Sequence, residues 1–192
     1  MGKLVVTEFI TLDGVIEDPG GSENLDRGGW ALQFDRGDEG NKFKLDEVLD
    51  AEAQLLGRVT YEGFAAAWPS RTDEFGFAER MNTMPKYVVS STLKDLTWDN
   101  STPIDGDVAE EVAKLKEQVA GEILVAGSAM LVRALVENDL VDELRLMVFP
   151  TVLGGGKRLF GESASAKTFG LVESRPVGDD GVVILTYEPA KS

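Results

Sequence analysis

Leu55-Leu56-Gly57-Arg58-Val59-Thr60-Tyr61 and Leu124-Val125-Ala126-Gly127-Ser128-Ala129 share one construction. In each, a short apolar run meets a glycine and continues into residues of helical pattern. A strand turns into a helix in this way in a parallel α/β sheet, leaving the first-turn N–H groups without intrahelical partners. Two such turns predict a mostly parallel sheet with helices on both faces. They also predict where a ligand binds, because open α/β sheets hold ligands beyond the carboxyl ends of their strands. A glycine there admits a close approach, and the helix dipole favours an anion such as a pyrophosphate. The plainer alternative is that each glycine only makes its turn.

Outward from these turns the pattern is regular. Residues 3–10 are almost entirely apolar and β-branched, as in a strand buried on both faces. Thr11-Leu12-Asp13-Gly14 ends that run, and a glycine-rich polar stretch over 18–40 follows, with Trp30 and Phe34 inside it. Long loops of this kind are often functional, so Trp30 and Phe34 are expected to stack on a substrate, with Asp13 nearby. Helical spacing marks 42–53, and 60–67 with Thr60 as its cap. It marks 107–120 most clearly, where Val108, Val112, Leu115 and Val119 share a face, Asp107 caps and Gly121 terminates. A further helix covers 129–137. Strands are read at 54–57, 86–90, 122–126 and 142–149. Two more, 168–176 and 182–187, form a hairpin across Gly178-Asp179-Asp180-Gly181. No linker or repeat divides the chain, so 1–192 reads as one domain.

Composition removes much chemistry. Among 192 residues there is no cysteine and no histidine, which excludes thiolate metal sites, disulfides, cysteine nucleophiles and histidine bases. With 19 basic against 34 acidic residues the net charge is −15, which repels nucleic acid. No apolar run is long enough to span a membrane, and no signal-peptide pattern opens the chain, so a cytoplasmic protein is expected. Asp13, Asp35, Asp38 and Glu39 read as solvated loop acids, and no metal is expected. The G-x-G-x-x-G fingerprint is absent, and Gly154-Gly155-Gly156-Lys157 lacks the spacing of a phosphate-binding P-loop. Ser90-Ser91-Thr92 puts three hydroxyls at a strand end. Together with Arg58 they suit a phosphomonoester such as the 2′-phosphate of NADP, although an ordinary Ser/Thr turn has the same spacing.

Leu56-Gly57-Arg58-Val59-Thr60-Tyr61-Glu62 resembles a cofactor segment of the dihydrofolate reductase superfamily. Val88-Val89-Ser90-Ser91-Thr92, Val125-Ala126-Gly127-Ser128, Leu140-Val141-Asp142-Glu143-Leu144 and Pro150-Thr151-Val152-Leu153-Gly154-Gly155-Gly156-Lys157 extend the match over nearly the whole chain. The set is most similar to the C-terminal reductase domain of the bifunctional riboflavin-biosynthesis deaminase-reductase. The resemblance implies a three-layer sandwich with a mostly parallel sheet and a C-terminal antiparallel hairpin. It implies an NADPH-dependent reductase of a small heterocyclic or imine/carbonyl substrate, as in 5-amino-6-(5-phosphoribosylamino)uracil reduction. Position by position, Gly57, Arg58, Thr60 and Tyr61 match the first cofactor segment. Ser90, Ser91 and Thr92 match the adenosine-phosphate segment, where relatives often have Ser-Arg-Thr. Gly127, Ser128 and Ala129 match the pyrophosphate segment, where relatives have two glycines joined by a cis peptide. Lys157 and Arg158 are candidates for a substrate phosphate. Dihydrofolate reductases carry an acid on the first helix; counting back from Gly57 reaches Asn41, so no catalytic acid is identified. That gap leaves a second reading open, a dinucleotide-binding module without turnover that serves as a sensor or interaction protein. The apolar run 144–152 beside the closing hairpin predicts a homodimer.

Overall fold

Lys3–Thr11 (β1) has a strand on either side of it and helices over both of its faces, which is why this run is so largely apolar. The computed structural model describes residues 1–93, 95–163 and 165–190. After β1 come α1 (Gly37–Asp50), β2 (Ala51–Gly57), α2 (Arg58–Ala67), α3 (Phe77–Thr83), β3 (Lys86–Val89) and β4 (Ser101–Ile104). Then follow α4 (Val108–Gln118), β5 (Glu122–Ala126), α5 (Ala129–Glu137), β6 (Glu143–Phe149), β7 (Phe169–Val177) and β8 (Val182–Pro189). The eight strands form one sheet in the order β4-β3-β2-β5-β1-β6-β8-β7. All pairings from β4 to β6 are parallel, and the hairpin β7–β8 closes the other side antiparallel.

Side chains of β1 alternate between two cores. Leu4, Val6 and Ile10 pack with Val112 and Leu115 of α4 and Leu131, Val132 and Leu135 of α5. Val5 packs with Val48 of α1, Tyr61 of α2 and Met81 of α3 on the opposite face. The sheet is therefore the middle layer of three, as the resemblance implied. A third core forms under the 12–36 segment, where Val15, Trp30 and Ala31 cover Met147, Phe149, Val182 and Ile184. Among the described residues, no helix is long and apolar enough to cross a membrane.

Several boundaries differ from the sequence reading. The first helix starts at Gly37, and its last residue, Asp50, leads straight into the extended Ala51, so β2 begins there rather than at residue 54. Thr60 is no cap: α2 begins at Arg58, with Gly57 in the cap position. Helix α3 and strand β4 have no counterpart in the sequence reading. One has only 7 residues, and the other contains Pro103, which a strand accommodates here because β4 lies at the sheet edge. Asp107 does cap α4, its carboxylate accepting from the Glu110 N–H at 3.0 Å. Lys86 in β3 is fully buried, yet its Nζ donates to the carbonyls of Asn82, Met84 and Asp99 and lies 4.2 Å from the Trp98 ring centre.

Candidate active site at the β1–β5 parting

Strands β2 and β5 are neighbours, with Leu55 opposite Val125, so the Gly57 and Gly127 turns emerge side by side at the carboxyl edge. They interlock. A Cβ on Gly57 would fall 2.7 Å from Ser128 Cβ, and one on Gly127 would fall 2.5 Å from Thr60 Oγ1. The room left by each missing side chain is thus filled by the other turn and not held open for a ligand. Gly127 and Ser128 both adopt left-handed conformations, with φ of 65° and 60°. No peptide bond among the described residues is cis, so these two residues make the turn with consecutive left-handed residues in place of the cis peptide the resemblance implied.

Helices α2 and α5 therefore direct their N-termini at one spot. Neither has a side-chain cap, and neither has an acidic residue in its first turn. Helix α4 shows the contrast, with its Asp107 cap and Glu110 and Glu111 in the first turn. In a chain with 34 acidic residues, two adjacent helix starts free of acids keep their N–H groups and positive dipole ends for an anion. On the next strand, Gly57 lies opposite Val89, so Arg58 and Ser90 each follow directly on that last pair at the carboxyl edge. The Arg58 guanidinium meets Glu62 at 3.1 Å with both side chains 47% exposed. Such a surface pair is worth under about 1 kcal/mol and is readily exchanged for a phosphate. Ser90 Oγ accepts from the N–H groups of Thr92 and Leu93, so this segment is a Ser turn that presents its hydroxyls at the strand end.

The chain leaves β1 toward α1 on one face and leaves β5 toward α5 on the other. That makes the β1–β5 junction the switch point where such sheets open. Pairing between the two strands stops at Thr7 opposite Ala126. Glu8 is the first β1 residue past that point. It is 6% exposed, and its Oε1 has no hydrogen-bond partner among the described residues. Burial pushes its pKa up to about 8, against the opposing pull of the Lys44 charge and the Gly127 N–H. On the α1 side, Lys44 Nζ donates to Thr7 Oγ1 at 2.7 Å and pairs with Glu47 at 2.5 Å. Lys44 and Arg36 both lie over the Phe9 ring, 5.2 and 5.1 Å from its centre.

A family model described as the RibD C-terminal domain matches residues 2–183. The chain belongs to the RibD C-terminal domain family. The chain is 29% identical over 189 residues to the uncharacterized protein YyaP of Bacillus subtilis (strain 168), spanning 96% of this chain and 94% of that one. Among solved structures, RibD from Acinetobacter baumannii superposes with TM-score 0.65 at 17% identity, over 99% of this chain and 58% of that one. Dihydrofolate reductase from Enterococcus faecalis, complexed with NADP(H), gives TM-score 0.63 at 17% identity, over 98% and 97% of the two chains. These structural likenesses establish the fold. The family is a reductase family.

Within this RibD C-terminal domain several expected site residues have other duties. Trp30 is 1% exposed, with its indole N–H donating to the Glu17 carbonyl and its ring packed edge-on to Phe149 at 5.5 Å. Phe34 packs on the same ring at 6.0 Å. Trp30 is sealed in the core and Phe34 is half-buried at its margin, and both fasten the glycine-rich segment to the sheet. Tyr61 is also core: its hydroxyl accepts from the Trp98 N–H, 2.9 Å away. Asp13 accepts from the Thr11 hydroxyl and from the Leu153 and Gly154 N–H groups. The Thr11 hydroxyl, with those N–H groups, holds its carboxyl down to about 2. Asp13 thus clamps the glycine loop after β6. Lys157 and Arg158 are likewise engaged, by Glu17 at 3.1 Å and by the Asp13 carbonyl at 2.9 Å. The cations that do face the end of β1 are Arg36 and Lys44, which the sequence reading passes over. It also misses Glu8, although a single carboxylate within 3–10 was the available signal.

Proposed function

We propose that this RibD C-terminal domain is a cytoplasmic NADPH-dependent reductase acting on an imine or carbonyl bond of a small heterocyclic substrate of the aminouracil kind. The observation that carries the reading is the pair of uncapped, acid-free helix N-termini interlocked at the carboxyl edge of β2 and β5, next to the β1–β5 switch point, in an otherwise strongly acidic protein. The N–H groups opening α2 and α5, around Gly57, Gly127, Ser128 and Ala129, would hold the pyrophosphate. Arg58 with Ser90, Ser91 and Thr92 would receive the 2′-phosphate. When bound, the reduced nicotinamide supplies the hydride.

Replacing Arg58 tests the placement. A hydrogen bond to a charged group is worth about 1.5–3 kcal/mol, so Arg58→Ala weakens NADPH roughly 10–100-fold. NADH, which lacks the 2′-phosphate, loses far less. Because Ser91 stands where relatives often carry arginine, discrimination between the two cofactors is smaller than a two-arginine site would give. Equal losses for NADPH and NADH in a fluorescence titration would make Arg58 a partner of Glu62 alone.

The same reading takes the protein as a homodimer. Strand β7 is an unpaired edge, and Leu171 and Val172 are more than half exposed on it. The run 144–152 proposed from sequence instead lies largely inside the sheet, with Leu144, Met147 and Phe149 buried. Light scattering at micromolar concentration should give twice the chain mass of 20.8 kDa. A value near the monomer mass rejects the dimer.

A further inference from the structure

We propose that the nicotinamide ring enters where β1 and β5 part and that Glu8 is the acid of this site, a neutral carboxyl that gives its proton to the nitrogen or oxygen of the bond being reduced. The inference rests on the cofactor reading above and adds the group which that reading lacks. Three observations of position carry it. Glu8 is the first residue of β1 beyond its pairing with Ala126's strand, where the two central strands part. Its side chain lies on the α5 side with Leu4, Val6 and Ile10, next to the Gly127 N–H of the turn that opens α5, and is more than nine-tenths buried. Its Oε1 has no partner among the described residues, so that oxygen can carry a proton that no other protein group holds.

The charged group whose field reaches it is Lys44 of α1, while α5 opens with the apolar Ala129-Met130-Leu131 and β6 sets Leu146 opposite it. Burial outweighs that one cation, so Glu8 stays protonated near neutral pH. The step balances simply. The hydride, given up with its bonding pair as a C–H bond of the reduced nicotinamide breaks and that ring is oxidised, would form a C–H bond at the carbon of C=N or C=O, and the π pair would move to nitrogen or oxygen. That atom takes the Glu8 proton as the carboxyl O–H breaks. The carboxylate is then reprotonated from water.

The test measures protons released or taken up when wild-type protein at pH 7, in weak buffer, binds NADP⁺ or NADPH. The oxidised ring carries a fixed positive charge that the reduced ring lacks, and an adjacent acid ionises in response. NADP⁺ binding is expected to release about half a proton per site more than NADPH binding. Both cofactors carry the same 2′-phosphate, so its own titration cancels in the difference. Glu8→Gln should bind both cofactors and show no difference between them. An isotope-edited infrared band of a protonated carboxyl should fall by about half on adding NADP⁺ to the wild type and be missing in Glu8→Gln. Equal proton inventories for the two cofactors, or an unchanged difference in Glu8→Gln, overturn the role of Glu8 and leave the cofactor reading standing. Failure of either cofactor to bind overturns both.

Discussion

Glu8→Gln makes the protein more stable in mildly alkaline solution and leaves its stability near pH 4 within about 1 kcal/mol of the parent. The folded carboxyl titrates at about 8 against an ordinary 4.5 because it is buried. Below the unfolded value both states are protonated and burial of the neutral acid costs little. Between the two values the unfolded chain has released a proton that the folded chain keeps, so stability falls as pH rises, by up to about 1.4 kcal/mol per pH unit. Once pH passes the folded value the loss is complete, on the order of 5 kcal/mol in all. The amide of the variant cannot ionise and escapes it. Urea melts of parent and variant across this range should therefore diverge with rising pH; parallel curves would mean that the Glu8 carboxyl is ionised at neutral pH in the folded protein.

Gly127→Val is expected to cost about 3 kcal/mol or more, a large part of the stability of an ordinary domain. Two causes add. Residue 127 has φ of +65°, where any Cβ is strained and a β-branched one more so. That Cβ would also fall 2.5 Å from Thr60 Oγ1, in a turn whose own Gly57 is pressed by Ser128. Thr60→Ala in the same chain should recover the part due to the clash and none of the part due to φ. The midpoint of urea unfolding reads both. A Gly127→Val protein that melts like the parent yet no longer binds NADPH would return the space at Gly127 to the ligand.

The layered α/β architecture was legible in the chain because its signals are local. A strand such as 3–10 must be flanked on both sides to hide so many apolar groups, and a glycine between an apolar run and a helical pattern marks a βα turn. The Asp107 cap and the stripe of Val112 and Leu115 were legible for the same reason, since a helix writes its own period. Short elements were not. Helix α3 and edge strand β4 get their order from Trp98, Asn82 and the buried Lys86, through contacts that reach 13 and 16 residues along the chain, beyond any local pattern.

At the site, the sequence alone determined that two glycine turns meet the starts of two helices and that no histidine or cysteine takes part. Only the tertiary structure decided what each residue does there. Trp30, Phe34 and Tyr61 have the composition of a binding site, but aromatic rings also bury more surface than other side chains, and here the core claims Trp30 and Tyr61 and holds Phe34 half-buried at its margin. Asp13 looked like a substrate residue until the loop after β6, 140 residues away along the chain, came to its carboxylate. Glu8 sat unremarked among apolar neighbours because a sequence shows that a carboxylate lies in a strand and not where that strand parts from the next. Whether such a group is charged, and what it faces, depends on what closes over it, and closure is a property of the packed chain.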